Sequence, residues 1–561
     1  MLREFLDAKW QHHLQTNPLE ATLSGDHRWD ATFDDASFAG VAAQQQERKI
    51  ARQELGRLLQ SSLSADARLN GELFAWWLDR NIGADRFCNE CLAVSQNHGP
   101  YDVLEDLSEY APPRTVKEAE DFLERMDKYP DYLTQHRSWL ERGVQRKIVA
   151  PRAIVEKVPG MVRKHIPSKI EDSPIYQSFA KLPDSVPSPV RQRLLERAKH
   201  LLLTRIWPAL LNFADYIEKI YLPKCRDTVG LSALPEGREW YRYSVLRFTT
   251  LPLDPDEVHQ IGLAEVARIT GEMDKVRLAS GFAGTLAQYL EFLRSDPQFF
   301  YTDRQDLLRG YRDIAKRIDG ELPRLFGKLP RLPYGVFPVP AHAEETAYTA
   351  YYTPGALSDG RSGRFYANTY KLPARPKWEM EALTLHEAVP GHHLQISLAL
   401  ELTDVPAFRK EIYIEAFGEG WGLYAESLGS ELGLYRTPEL QMGQLIYEMW
   451  RAVRLVVDTG LHWKGWTRPQ TIAYFKANTG KSEHDIAIEV DRYIAWPGQA
   501  LAYKIGQRHL VALRKEAQTA LSSRFDIRRF HDVVLESGSL PLSMIDARVR
   551  KFIVEEQAVK Q

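Results

Sequence analysis

Helix-start signals followed by apolar residues at helical spacing recur along this sequence, and they constrain its fold more than any other feature. Thr115 and Glu118 have the spacing of a capping box before one apolar-periodic stretch. Ser188-Pro189 opens a second such stretch with a first-turn proline. Because no internal repeat or low-complexity tract interrupts the pattern, the sequence predicts a mainly α-helical fold.

Residues 335–370 differ from the rest of the chain because they are dense in Pro, Gly and Tyr. Alternating apolar residues in GRFYANT, which starts at Gly363, indicate short strands joined by loops. We therefore expect a small β-containing segment here that forms an edge for substrate binding. Asn368 is a candidate for contacting a peptide backbone or carboxyl group.

The chain of 561 residues is long enough for several domains, although large helical enzymes also fold as one body. We expect residues 1–240 to form a helical scaffold and residues 241–561 to form the catalytic region. We expect the two parts to pack as one compact unit.

Charge and composition exclude several classes of partner. The 73 Lys and Arg residues nearly balance the 75 Asp and Glu residues, and no apolar run approaches the length of a membrane span. We therefore expect neither a nucleic acid nor a membrane as partner. The charged N-terminus and the low count of three cysteines favour a cytoplasmic protein, with Cys88 and Cys91 in an ordinary helix.

Three of the 16 histidines fall within eight residues, in the segment LTLHEAVPGHHLQIS. His386-Glu387 begins like the zinc motif H-E-x-x-H, in which two histidines one helical turn apart bind the metal. In that motif the glutamate acts as general base, so Glu387 is the predicted base here.

The second histidine of the motif is replaced by Pro390, which is followed by Gly391. A proline cannot bind metal or donate a helical hydrogen bond, so a kink is expected at this point. Such a kink could bring His392 to the position of the second ligand. On a straight helix His393 would lie about 10 Å from His386 along the axis, which is an awkward span for one ion. We therefore prefer His392 as the second ligand and keep His393 as the alternate.

A catalytic zinc site needs a third protein ligand, and GEGWGLYAE supplies candidates. We predict Glu419 as the ligand and Glu426, seven residues later, as the group that orients a ligating histidine. Small glycines around Glu419 would let this helix approach another helix closely. Further along, His462 shares a helix face with acidic and basic residues, which favours a structural or supporting role over a ligand role.

The blocks HEAVPGHHLQ, GEGWGLYAE and RYIAWPGQALAYKIG resemble the signatures of the domain-of-unknown-function 885 family over roughly residues 1–555. That family is grouped with gluzincin-like zinc metallopeptidases, which implies a large helical body with a deep cleft that binds short peptides. GEGWGLYAE is also similar to the N-E-G-F-A-x-Y-x-E block of zinc aminopeptidases. There the first glutamate is a zinc ligand, which again implies Glu419.

Arg492-Tyr493 resembles an Arg-Tyr pair on a late helix of peptidases of the angiotensin-converting-enzyme type. The resemblance implies that the Tyr493 hydroxyl donates a hydrogen bond to the developing oxyanion. Tyr503 and Lys504 follow in the same region and could hold substrate carbonyls or a terminal carboxylate.

The function we predict is zinc-dependent hydrolysis of peptide bonds in short peptides, of the oligopeptidase or carboxypeptidase type. A zinc hydrolase of a non-peptide amide would use the same ligands and stays an alternative. A metal-binding pseudoenzyme is a second alternative, although such a protein has no need of a general base. The sequence leaves the oligomeric state open.

Overall fold

The computed structural model describes residues 1–340, 344–345, 347–356, 360–480 and 483–558. The chain is mainly α-helical, as its periodicity predicts. Its packing divides into two compact units, Met1–Trp240 with Pro406–Phe408 and Tyr241–Val405 with Arg409–Gln561. Within the described ranges, no helix is both long enough and apolar enough to cross a membrane.

The first unit consists of short and medium helices around the long helix α6. Its helices are α1 (Leu2–Thr16), α2 (Pro18–Leu23), α3 (Phe38–Leu58), α4 (Ala65–Ala84), α5 (Val103–Tyr110), α6 (Val116–Arg146), α7 (Arg152–Val155), α8 (Val158–Lys164), α9 (Pro174–Ala180), α10 (Ser188–Leu201) and α11 (Trp207–Tyr216), and α12 (Gly237–Thr249) starts where this unit ends.

Local chemistry in the first unit matches the sequence prediction in one place and departs from it in another. The Thr115 hydroxyl accepts the backbone N–H of Glu118 at 3.2 Å and so caps α6. Cys88 and Cys91 form a disulfide across a short 3₁₀ turn, so the expectation of an ordinary helix is wrong. The α-helical periodicity ends with α4, and the tighter turn brings the two sulfurs together.

The second unit contains the predicted site segments. Its helices are α13 (Pro255–Ala279), α14 (Leu286–Ser295), α15 (Arg304–Glu321), α16 (Met380–Glu387), α17 (His392–Leu400), α18 (Phe408–Glu411), α19 (Glu415–Ser427), α20 (Pro438–His462), α21 (Arg468–Asn478), α22 (Glu483–Ala495), α23 (Leu501–Leu521), α24 (Ile527–Leu535) and α25 (Leu542–Ala558). Two closely packed helix pairs form its core, α13 with α20 and α19 with α23.

A three-stranded sheet lies in the segment for which strands are expected. It consists of β1 (Tyr334–Pro338), β2 (Ala350–Thr353) and β3 (Gly363–Ala367), in the order β1-β3-β2. β3 pairs in parallel with β1 and antiparallel with β2. Alternate residues of β3 are buried, and the Phe365 ring packs edge-on against Tyr311, so the sheet is anchored to α15. Residues 341–343, 346 and 357–359 of the predicted segment lie outside the described residues.

Glycines allow α19 and α23 to pack backbone against backbone. A Cβ atom at Gly506 would lie 2.0 Å from the carbonyl oxygen of Ala416 and 2.7 Å from the Cα of Gly420. Neither neighbour is a flexible side chain, so the backbones would have to move apart to accept any larger residue. This contact sets the depth at which α19, with Glu419 and Glu426, lies in the unit.

We predict that Gly506→Ala lowers the stability of the protein by about 1–3 kcal/mol, because the added methyl group overpacks the α19–α23 contact. Gly271→Ala is the matched control, since a Cβ there meets nothing within 4 Å and α13 gains a better helix former. The control should raise stability by up to about 1 kcal/mol. Thermal unfolding midpoints of both variants test this, and equal midpoints would disprove the close-packing argument.

Candidate metal centre

The helix carrying His386 stops after Glu387, and a new helix begins at His392. The Val389–Pro390 peptide bond between them is cis, and the Pro390 carbonyl accepts a hydrogen bond from the indole of Trp421 at 2.8 Å. A Cβ atom at Gly391 would lie 1.9 Å from the His386 carbonyl oxygen, so only glycine fits against the end of α16. The break expected at Pro390 is therefore present, and it sets His392 beside His386.

The structure brings together His386, His392 and Glu419, the three residues predicted as metal ligands. One ligand atom from each lies within 4.8 Å of the others. Glu419 Oε2 is 3.6 Å from His386 Nε2 and 3.5 Å from His392 Nε2. Ligands that bind zinc tetrahedrally at about 2.0–2.2 Å stand about 3.3–3.6 Å apart, and the two distances from Glu419 lie in this range.

Glu426 orients the first histidine. Its Oε1 lies 2.8 Å from His386 Nδ1, and the carboxylate is fully buried. With Nδ1–H donating to this carboxylate, the Nε2 lone pair of His386 points towards Glu419 and His392. This carboxylate–histidine arrangement is typical of ligating histidines in zinc proteins.

The electrostatics of the cluster favour a bound cation. Burial by itself lowers the pKa of His386, but hydrogen bonds to Glu419 and Glu426 outweigh it and raise the pKa to about 9. Burial would raise the pKa of Glu419, yet hydrogen bonds and charge from His386 and His392 hold it well below its usual value. A site that binds a proton this firmly between two carboxylates is suited to a metal cation in the same place.

His393 points away from the cluster into the small sheet. Its Nε2 donates to the Leu332 carbonyl at 3.0 Å, and its Nδ1 lies 2.9 Å from the Tyr352 hydroxyl and 3.2 Å from Ser397 Oγ. Burial lowers the pKa of His393 to about 4, so the ring stays neutral. Both ring nitrogens are used within the protein, which leaves His392 as the histidine that faces Glu419.

Glu387, the predicted base, is the next residue after the predicted ligand His386. Its side chain is half-buried, and among the described residues it takes part in no hydrogen bond or ion pair. Its charge acts on His386 and on the hydroxyl of Tyr413. An unengaged carboxylate beside a metal-ligand set is available for proton transfer.

Tyr413 and Tyr503 also border the cluster, and sequence reasoning did not single out Tyr413. The charge of Glu419 is the strongest one acting on each phenol. Tyr413 is 38% exposed, yet burial and nearby carboxylates raise the pKa of its hydroxyl well above the usual value. Glu387, Tyr413, Glu419 and Tyr503 thus lie around the same part of the site, which we call the recess. The one signal in the sequence was an aromatic residue six positions before Glu419.

Tyr493 and Arg492 lie in a buried network beside this recess. The Tyr493 hydroxyl donates to Glu489 at 2.5 Å and accepts from Arg454 Nε at 2.8 Å. Arg492 donates to Glu489 at 3.1 Å and to Gln499 at 2.8 Å. The side chains of Tyr493 and Arg492 are thus both hydrogen-bonded to other side chains of the protein.

The remaining predicted residues are engaged elsewhere. Lys504 is buried and donates to Glu448 at 2.6 Å and to Gln507 at 2.7 Å. His462 is fully buried, with Nε2 2.9 Å from the Tyr493 carbonyl. The Asn368 amide donates to the carbonyl of Glu344 at 2.8 Å and so ties the chain beside the sheet. These contacts support the packing around the site.

Comparisons with known proteins agree on the fold and name no activity. The model of a family described as bacterial proteins of unknown function, DUF885, matches residues 18–549. The crystal structure of a candidate lipoprotein from Colwellia psychrerythraea has a TM-score of 0.93 and 28% identity, with 99% of each chain covered. A candidate lipoprotein of unknown function from Shewanella oneidensis, at 17% identity and a TM-score of 0.74, covers 99% of this chain and 100% of its own, a likeness of fold alone. No curated protein matches significantly.

We predict that His392→Ala loses zinc on mild dialysis while His393→Ala retains it. Only the first substitution removes a nitrogen that faces Glu419, whereas the second removes hydrogen bonds to the sheet. Zinc content per chain, measured by atomic emission, tests the pair. The thermal unfolding midpoint of His393→Ala serves as the control. This midpoint should fall, because the hydrogen bonds to the sheet are lost, while the zinc content stays unchanged. Zinc loss in His393→Ala alone would reverse the ligand assignment.

Proposed function

Since the chain belongs to the DUF885 family, whose description states no activity, we propose its function from the chemistry of the site: zinc-dependent hydrolysis of peptide bonds in short peptides. The observation that carries the proposal is the set His386, His392 and Glu419 with the unengaged carboxylate of Glu387 beside it. A purely structural zinc site is usually closed by four protein ligands and has no use for such a carboxylate.

The three ligands would hold the ion and leave a coordination position open. Zinc bound there would supply Lewis acidity and lower the pKa of water. Glu387 would accept the proton of the attacking water and then donate it to the leaving amine. Glu426 would keep His386 in the tautomer that presents Nε2 to the ion.

The phenol that stabilises the oxyanion is, in this proposal, Tyr413 rather than Tyr493. Tyr493 already donates to Glu489, so its proton is not available to a substrate without breaking that bond. Among the described residues the Tyr413 hydroxyl has no hydrogen-bond partner, and it feels the charges of both Glu419 and Glu387. Its raised pKa keeps the hydroxyl protonated and therefore a donor.

Short peptides suit the site because its reactive groups lie in the recess bordered by Glu387, Tyr413, Glu419 and Tyr503. Glu419 keeps only 16% of its side chain exposed, and His392 only 10%. An extended chain of a few residues can reach such groups, whereas the surface of a folded protein cannot.

We predict that Glu387→Gln retains zinc and lowers kcat by about 10²–10⁴-fold, the usual contribution of a general base. The measurement is a mass-spectrometric digest of a mixed peptide library by the zinc-loaded proteins. Glu431→Gln is the matched control, because Glu431 pairs with Arg514 at the surface. If the wild type cleaves peptides and Glu387→Gln cleaves them equally well, Glu387 is not the general base. If neither protein cleaves any peptide, the result favours a zinc hydrolase of a non-peptide amide or a metal-binding pseudoenzyme.

We also predict that Tyr413→Phe lowers kcat by about 10²–10³-fold with little change in KM, because the lost hydrogen bond forms only in the transition state. Tyr493→Phe is the matched comparison, and it should lower the unfolding midpoint and affect kcat much less, since Glu489 and Arg454 lose their partner. Steady-state kinetics on one cleaved peptide tests both. A kcat loss confined to Tyr493→Phe would return the oxyanion role to that residue.

A further inference from the structure

Two buried arginines one turn apart on α20 have N–H groups without partners. Arg451 is 6% exposed and Arg454 is 5% exposed. Among the described residues, Arg451 Nε and Arg454 Nη1 have no hydrogen-bond acceptor although both atoms are buried. Leaving a donor of a charged group unsatisfied in the interior is costly, and native structures rarely do so without a reason.

The carboxylates near these arginines do not satisfy them. Glu489 accepts from both Arg454 and Arg492 at 3.1 Å, so one carboxylate serves two guanidinium groups. Arg451 Nη2 is 3.7 Å from Glu426, whose Oε1 is already bound by His386 at 2.8 Å. Three arginines thus share these two carboxylates, which leaves the two N–H groups without an acceptor among the described residues.

Tyr503 connects these arginines to the candidate metal centre. Its ring centroid lies 4.5 Å from the Arg454 guanidinium and 5.9 Å from that of Arg451. Its hydroxyl feels the charge of Glu419 more strongly than that of either arginine, and among the described residues it has no hydrogen-bond partner. The phenol therefore lies close both to the predicted ligand Glu419 and to the two guanidinium groups.

A carboxylate is the anion that this arrangement fits. The planar fork of a guanidinium group matches a carboxylate, and a neighbouring phenol adds a third donor to it. Binding would satisfy the two buried donors and place a negative charge beside the guanidinium groups. A cation or an apolar group would do neither.

We propose that Arg451, Arg454 and Tyr503 bind a carboxylate of the substrate beside the metal centre, an inference that rests on the proposed peptidase function. The carboxylate comes either from the C-terminus of the peptide or from an acidic side chain. The site thereby selects substrates that carry a negative charge close to the scissile bond, and their neutral analogues bind weakly.

The test measures binding to zinc-loaded Glu387→Gln by titration calorimetry, so that it does not depend on turnover. The probes are trialanine, trialanine amide, and trialanine amides with glutamate or glutamine in the central position. In one of the two pairs, the charged probe should bind about 10- to 100-fold more tightly than its neutral partner, as expected for hydrogen bonds to a charged group. Preference in the first pair identifies a terminal carboxylate, and preference in the second pair an acidic side chain. Equal affinities in both pairs would overturn the proposal.

Arg454→Met in the same background should reduce the preference to less than about threefold, and Arg454→Lys should restore part of it, because a lysine keeps the charge without the fork. Arg125→Met is the matched control: Arg125 is also buried, but it donates to Thr22, Trp29 and Thr32 in the other unit. A preference that persists in a folded, zinc-loaded Arg454→Met would overturn the proposal. If Arg454→Met does not fold, Arg451→Met takes its place under the same criterion.

The two proposals fail in different ways. If the wild type cleaves no peptide but the charged probe binds more tightly, the carboxylate site stands and the peptidase function is lost. If the wild type cleaves charged and neutral peptides with equal kcat/KM and binds them equally, the peptidase function stands and the carboxylate site is lost.

Discussion

The contact between Gly391 and the end of α16 is the constraint on which the candidate metal centre depends. The carbonyl oxygen of His386 lies where a Cβ atom of any other residue would be. Because the chain can pass this close only without a side chain, α17 begins directly beside the end of α16. His392, its first residue, therefore faces the same point as His386 although the H-E-x-x-H spacing is absent.

Glycines also allow close packing where α19 meets the cluster. Glycine at 422 leaves room for the His386 ring, since a Cβ there would lie 2.8 Å from its Cε1 atom. Gly420 and Gly506 let α19 lie against α23, and α19 carries both Glu419 and Glu426. The glycines of GEGWGLYAE thus determine how close two carboxylates come to one histidine.

Contacts between charged side chains connect the cluster to a second set of buried ionic groups. His386 is held by Glu426, which lies near Arg451. Arg454 packs against the Tyr503 ring and shares the Glu489 carboxylate with Arg492. Buried ionic groups of this kind seldom add stability over apolar packing, which is in keeping with the role in substrate binding proposed above. Among the described residues, Arg451 Nε, Arg454 Nη1 and Glu426 Oε2 are the buried atoms of this network that lack a hydrogen-bond partner.

The sequence by itself determined the helical class, the position of the small sheet, the break at Pro390 and the residue types of the ligand set. These follow from backbone chemistry and from spacing along one or two helices, which act locally. Only the tertiary structure decided that His393 turns to Leu332 and Tyr352, that Tyr493 is bound by Glu489, and that Tyr413 and Arg454 border the recess. The orientation and burial of a side chain depend on elements far apart in the chain, and no local pattern records them.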